Sequence, residues 1–113
     1  TGAVVVASGA TDVVATADRA FEIEAGHELM GQFVGTGCMQ GVTQAVFAGA
    51  VTDTLDAVLA GTLAYGRAGE RAAAGAYGDF AGPASYRTAF LDAIAGLDAA
   101  EAAPDEERIT ELD

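Results

Sequence analysis

The segment Gly35-Thr36-Gly37-Cys38 carries the residue types and the spacing best suited to chemistry. We expect it to open a helix, where the first N–H groups have no intrahelical acceptor and can bind an anion. Glycines allow backbone conformations that let such groups converge. The segment therefore predicts an anion hole for phosphate, or for charge that develops during phosphoryl transfer. A plain tight turn between loop and helix explains the same four residues equally well.

Two established phosphate-binding patterns do not fit this segment. A Walker loop requires a lysine before Ser or Thr, and the chain contains no lysine. The dinucleotide fingerprint requires a third glycine at position 40, where the chain has Gln40. An anion at this segment would therefore be held by backbone N–H groups.

Cys38 lies in the predicted first turn of the helix, where the local field favours a thiolate. The alternative, a small buried apolar residue, is the common fate of a lone cysteine, and we give the two equal weight. His27-Glu28 lacks the second histidine of a zinc motif, because position 31 is glycine, so His27 is predicted to stabilise a loop and no metal site is expected. Asp12 and Asp18 are predicted to stabilise turns.

The apolar pattern predicts the elements that position these residues. Strands are expected over 4–7, 13–15 and 20–23, the last with Phe21 and Ile23 on one face, followed by a glycine loop over 25–37. A first helix runs from Cys38 and places four small or apolar residues on one face, Met39, Val42, Val46 and Gly49.

Two further helices follow. The second begins near Asp53 as its N-cap, turns Leu55, Leu59, Leu63 and Ala64 to the core and Glu70 and Arg71 outward, and its glycines predict close helix packing. The third follows Pro83, with Ser85 as a capping residue and one apolar stripe of Tyr86, Phe90, Ile94 and Leu97. Residues 99–113 are predicted to be a solvated acidic tail with a short helical piece near 108–112.

Composition limits the function classes. The net charge of −12, from 17 acidic and five basic residues, disfavours nucleic acid and membrane surfaces as partners. An apolar content of 51% is enough for one folded domain, so the acids are expected to form the hydrated surface of a salt-adapted protein. One cysteine and no export signal predict a cytoplasmic protein. The apolar start without methionine indicates the interior of a longer chain.

The order of several motifs resembles the hydroxyethylthiazole kinase family of the ribokinase-like superfamily, up to about Leu97. The resemblance implies the α/β class, with the C-terminal part of a three-layer α/β/α sandwich over 1–98, and an acidic tail over 99–113. The motifs are Ser8-Gly9-Ala10-Thr11-Asp12, Gly26-His27-Glu28-Leu29-Met30, Gly35-Thr36-Gly37-Cys38, Tyr65-Gly66, Gly69-Glu70, Gly82-Pro83-Ala84-Ser85-Tyr86 and Phe90-Leu91-Asp92.

The resemblance also implies a transferase that uses ATP and Mg²⁺ to phosphorylate the hydroxyl of hydroxyethylthiazole in thiamine biosynthesis and salvage. It implies a homotrimer, with the thiazole pocket and magnesium ligands in an N-terminal half that this chain lacks, so that the fragment alone is incomplete. By this resemblance, Cys38 would take the place of an aspartate general base, and Ser8 would contact the nucleotide where the family usually has threonine. Gly35, Thr36 and Gly37 would form the anion hole, and Gly35 would also contact the substrate.

Two alternatives remain open at this point. One is another ribokinase-like kinase, acting on a hydroxymethylpyrimidine or a sugar. An aspartate at position 38 would have favoured this alternative, and Cys38 argues against it. The other is a non-catalytic binding or oligomerisation module that kept the fold. The chain departs from the family at two turns, Thr16-Ala17 and Gly82-Pro83-Ala84-Ser85, which bear on local geometry rather than on chemistry.

Overall fold

The computed structural model describes residues 2–50, 53–98, 103 and 105–112. Three strands lead into a short 3₁₀ helix and three α-helices, and a fourth strand follows them. The elements are β1 (Val5–Ala7), β2 (Asp12–Ala15), β3 (Ala20–Ile23), the 3₁₀ helix (Glu28–Gln32), α1 (Thr36–Ala50), α2 (Thr54–Ala73), α3 (Pro83–Ala95) and β4 (Ile109–Leu112).

The strands form one antiparallel sheet in the order β1-β2-β3-β4. Val14 lies opposite Phe21, and Ile23 lies opposite Ile109. Phe21 and Ile23 are both buried, as the alternation of apolar residues predicts, because successive side chains of a strand point to opposite faces. The three predicted strands and the α/β class are confirmed.

Helix α2 is the central helix, because it contacts β2, β3 and both other helices. Its N-cap is Asp53, whose carboxylate accepts the N–H of Asp56 at 2.9 Å, as predicted. Leu63 is fully buried and packs with Val14 and Ile23 into a core between α2 and the sheet. The described residues thus make a sheet with α2 packed on one of its faces, and the third layer of the sandwich stays a prediction.

Helix α3 closes a second core against α2. Pro83 occupies its first position, where the missing N–H costs no hydrogen bond, and the Ser85 hydroxyl accepts the N–H of Ala81 at 2.9 Å. Tyr86 and Phe90 are fully buried and stack with ring centroids 6.1 Å apart. Burial raises the pKa of Tyr86 to about 12, and its hydroxyl donates to the carbonyl oxygen of Gly69 at 2.9 Å.

Close packing explains the glycines of α2. A Cβ built at Gly61 would lie 3.2 Å from Cγ of Phe47 in α1, which confirms the predicted close approach of two helices. Gly66 and Gly69 have a different neighbour, since they lie against Ala25 and Met30 in the segment that precedes α1. Gly66 therefore admits the backbone of the loop at Ala25, and Gly69 admits the side chain of Met30 in the 3₁₀ helix.

Two predictions are wrong. The helical piece expected near 108–112 is the strand β4, because Ile109 and Thr110 suit a strand and the segment pairs with β3 along its whole length. Glu70 does not point outward into solvent, because it is partly buried and paired with Arg108. The domain boundary at residue 98 stays a prediction.

Candidate functional site

A cleft of about 780 Å³ lies between the turn 8–12 and the start of α1. One side is the turn 8–12 between β1 and β2, and another is the segment 24–28 that follows β3. The start of α1 and residues 65–66 of α2 complete it. The cleft is therefore lined by four separate parts of the sequence.

The start of α1 offers backbone donors to this cleft. Gly35 has a φ of 106°, in the left-handed region that favours glycine, and its carbonyl accepts the first intrahelical bond, from Met39 N–H at 2.9 Å. The N–H groups of Thr36, Gly37 and Cys38 precede that bond and have no acceptor within the helix. Thr36 and Gly37 line the cleft, so an anion bound there would meet the positive end of α1.

Thr36 is held in place from both sides. Its hydroxyl donates to the carbonyl oxygen of Met30, and its carbonyl oxygen accepts the hydroxyl of Tyr65. Burial raises the pKa of Tyr65, so the phenol stays protonated and remains a donor at neutral pH. The donors at the helix start are thereby fixed before any ligand arrives, which lowers the entropy that binding would otherwise lose.

Asp12 connects the turn 8–12 to α1. One carboxylate oxygen accepts the N–H of Gly9 at 3.0 Å, which confirms the predicted turn-stabilising role of Asp12. The other oxygen accepts Nε2 of Gln40 at 2.9 Å, and Gln40 is 8% exposed. This second bond was missed, because the sequence gives no reason to pair residues 28 positions apart.

The segment 24–28 is held by a second pair of side chains. The N–H of Gly26, a residue with a φ of 115°, donates to Glu70 at 2.8 Å. Glu70 in turn pairs with Arg108, whose Nη2 lies 2.7 Å from its Oε1. Partial burial acts to raise the pKa of Glu70, but the hydrogen bonds from Arg108 and Gly26 outweigh it and hold that pKa below its usual range.

His27 is exposed and begins the 3₁₀ helix, where its Nδ1 accepts the N–H of Leu29 at 3.2 Å. The loop-stabilising role predicted for His27 is confirmed. In the part of the chain that the structure describes, no three His, Cys, Asp or Glu side chains lie close enough together to hold a metal ion. Within those same residues, no helix is long and apolar enough to cross a membrane.

The structure brings some of the predicted site residues together and leaves others outside. Ser8, Thr36 and Gly37 line the one cleft. Gly35 and Cys38 flank the lining residues without belonging to the lining, and Cys38 is exposed. The burial that a purely structural cysteine would have is therefore absent at Cys38, while the catalytic and binding roles of all five residues stay predictions.

The fold and the cleft together define an α/β domain in which the glycine-containing start of α1 and the turn 8–12 line the same cleft. Residues 1–100 match the model of the hydroxyethylthiazole kinase family. The chain belongs to the hydroxyethylthiazole kinase family.

Related proteins agree with this membership. The chain is 59% identical over 98 residues to a hydroxyethylthiazole kinase of Haloquadratum walsbyi, with 87% of this chain and 34% of that protein covered. It is 60% identical over 105 residues to one of Natronomonas pharaonis, with 91% and 36% covered. The structure of a hydroxyethylthiazole kinase from Pyrococcus horikoshii OT3 is similar with a TM-score of 0.77 at 27% identity, over 99% of this chain and 42% of that one. The chain thus spans about a third of the length of the curated relatives that it matches.

Proposed function

We propose that the complete protein carrying this chain transfers the γ-phosphoryl group of ATP to the hydroxyl of hydroxyethylthiazole, in thiamine biosynthesis and salvage. Family membership and the names of relatives at 59% and 60% identity support this activity. The observation that carries it is the shared cleft, in which Ser8 and the backbone donors of Thr36 and Gly37 face the same space. Such an arrangement suits a polyphosphate, since helix starts bind anions.

The residues of this chain would divide the work as follows. The hydroxyl of Ser8 contacts the nucleotide, and Gly35 contacts the thiazole. The N–H groups of Thr36 and Gly37 donate to the oxygens of the phosphoryl group during its transfer, because fixed donors stabilise the charge that develops in the transition state. The alcohol oxygen bonds to the γ-phosphorus as the bond from that phosphorus to ADP breaks, and Cys38 accepts or orients the alcohol proton.

Magnesium belongs to the proposal only at the level of the complete protein. Among the described residues, no three candidate metal ligands lie together. We therefore assign no residue of this chain to the metal and no step to it. Where magnesium accompanies the ATP, its contribution is to neutralise charge on the phosphates.

The setting of the enzyme is also part of the proposal. A cytoplasmic homotrimer with sites at subunit interfaces follows from the family resemblance. A salt-adapted protein follows from the net charge of −12 and the absence of lysine, because high ionic strength screens the repulsion among the acids. A homotrimer predicts that activity falls on dilution below the concentration at which the subunits associate.

A coupled ADP-release assay tests the activity. The complete protein is supplied with ATP and magnesium in high salt, with hydroxyethylthiazole in one arm and a hydroxymethylpyrimidine in the other. Thiazole-dependent release of ADP is expected. Release with the pyrimidine alone would assign the protein to another branch of the superfamily, and release with neither would remove the proposed activity.

The variant Cys38→Ala tests the proton acceptor. We expect kcat to fall by about 10²- to 10⁴-fold, the range for a positioned general base, because a proton acceptor acts at the chemical step. The affinity for ADP should stay unchanged and serves as the internal control, since ADP carries no transferring group. Unchanged turnover in this variant would remove Cys38 from the mechanism.

A further inference from the structure

The segment 24–28 forms one wall of the cleft, and its main chain is fixed by residues far along the sequence. Glu70 accepts the Gly26 N–H at 2.8 Å, across 44 positions. Arg108 donates from Nη1 to the carbonyl oxygen of Glu24 at 3.1 Å, across 84 positions. Neither Glu70 nor Arg108 lines the cleft itself. The wall is therefore held from behind.

The position of this wall follows from the sheet. Beyond the last paired residue of β3, the N–H of Glu24 donates to the carbonyl oxygen of Arg108 at 2.9 Å, which extends the ladder between β3 and β4 by one rung. The chain then turns at Gly26 and passes directly over Gly66, where a Cβ would overlap Ala25. Because the wall 24–28 lies this close to α2, its position depends on the side chains that hold its main chain.

The anchor is a fork of two charged groups. Both nitrogens at the end of the Arg108 guanidinium donate to the two oxygens of Glu70, so the pair is bidentate. Asp105 lies 4.0 Å from Nε of Arg108 and adds a second carboxylate. The side chains of Glu70 and Arg108 are 27% and 34% exposed, so water screens them less than it screens a surface pair.

We propose that Glu70 and Arg108 are positioning residues for nucleotide binding, because they set the wall 24–28 against the turn that carries Ser8. This inference rests on the proposed function. The segment that leads into β4 thus takes part in the nucleotide site without touching the nucleotide, through the Arg108 guanidinium, which joins it to α2 and to the wall. Residues 99–113, which were expected to be a hydrated tail, thus include a residue that holds one wall of the cleft in place.

The chain offers a matched control on the same strand. Arg19 and Glu111 also form a bidentate pair that ties β4 to β3, with both nitrogen–oxygen distances at 2.9 Å. This pair lies at the opposite end of the two strands, beside the Ala20–Leu112 rung, and it is about half exposed. Removing it weakens the attachment of β4 but leaves the wall 24–28 untouched.

The test compares Glu70→Gln, Arg108→Lys and Arg108→Met with the control Arg19→Met in the complete protein. Calorimetric titration with ADP, steady-state kinetics and amide exchange at Gly26 are measured for each. We expect Arg108→Met and Glu70→Gln to raise the Kd of ADP and the KM of ATP by about ten-fold, the loss expected for one charge-assisted hydrogen bond. The values of kcat and of KM for the thiazole should stay close to wild type.

The lysine variant adds a graded result. Arg108→Lys keeps the charge but loses the bidentate fork, so its Kd for ADP should lie between wild type and Arg108→Met. Faster exchange at Gly26 should accompany each weakened variant, and Arg19→Met should show neither effect. If Arg108→Met does not fold, the two conservative variants carry the same comparison.

Three outcomes would overturn the inference. One is wild-type affinity for ADP in Glu70→Gln together with faster exchange at Gly26, since a loosened wall would then not matter for binding. Another is an equal loss of affinity in Arg19→Met, and the third is a loss of kcat in step with a lowered unfolding temperature in every variant. Failure of the proposed function is distinct, because it is the absence of thiazole phosphorylation in a wild-type protein that still binds ADP.

Discussion

Replacing Gly66 with alanine perturbs the contact between α2 and the wall 24–28 at a single atom. The added Cβ would lie 2.5 Å from the Cβ of Ala25 and 2.8 Å from its carbonyl carbon. Neither of these atoms can rotate away as the end of a long side chain can. The wall must therefore move as a unit, or α2 must move away from the sheet.

Two opposing effects set the size of the change in stability. Alanine in a helix interior is favoured over glycine by about 1 kcal/mol. Overpacking of a tight contact typically costs about 1–3 kcal/mol, and the two distances here are too short for the low end. We therefore expect Gly66→Ala to lower the free energy of unfolding by about 2 kcal/mol at most, after the helical gain is subtracted.

Urea unfolding of the complete protein measures this change against a matched substitution, Gly41→Ala. Gly41 lies inside α1, is exposed, and a Cβ there would meet no heavy atom of the described residues within 4 Å. That variant should gain up to about 1 kcal/mol from helix propensity alone. Opposite signs for the two variants support the packing argument. A gain in Gly66→Ala equal to that in Gly41→Ala would refute it.

Two further predictions concern charged groups near the cleft. Gln40→Glu sets a second carboxylate against Asp12 and should weaken ADP binding. Adding Asp12→Asn to that variant should restore ADP binding, because the amide and the carboxylate have then exchanged places. A double-mutant cycle that shows no coupling between the two positions would contradict this. Since Arg108 and Arg67 help to hold the pKa of Glu70 below its usual 4.5, the stability from Glu70 is present above that pH and is lost as the pH falls through the lower folded pKa. Glu70→Gln lacks this carboxylate, so its free energy of unfolding should fall less steeply than that of the wild type as the pH is lowered through this range. An identical pH dependence in the two proteins would count against the ion pair.

The elements that depend on neighbouring residues could be predicted from the sequence. Alternation placed Phe21 and Ile23 on one buried face, and the short polar side chain of Asp53 marked the start of α2. Both features are local, because a strand repeats every two residues and an N-cap bonds to the backbone within three. Family motifs added the function class, which periodicity does not carry.

The fourth strand could not be predicted in the same way. Charge counting treats residues 99–113 as one acidic segment, and such composition favours a hydrated tail. The single arginine of that segment, Arg108, forms an ion pair with Glu70, which lies 38 positions away in the sequence. Its partner is set by the path of the chain through β3, α2 and β4, so segment composition contains no information about it. The same holds for the bond between Asp12 and Gln40.

Helix α1 shows how apolar periodicity can be right about a face and silent about its surroundings. Val42 and Val46 share a face as predicted, yet each is 65% exposed among the described residues. The side of α1 that packs on α2 instead carries Gln44, whose Nε2 donates to Thr62 at 2.8 Å, and Phe47, which lies over Gly61. Periodicity identifies residues that point the same way, but the partner's shape decides which face is buried. Here a missing side chain at one glycine admits a phenyl ring, and that contact orients the helix whose first turn opens on the cleft.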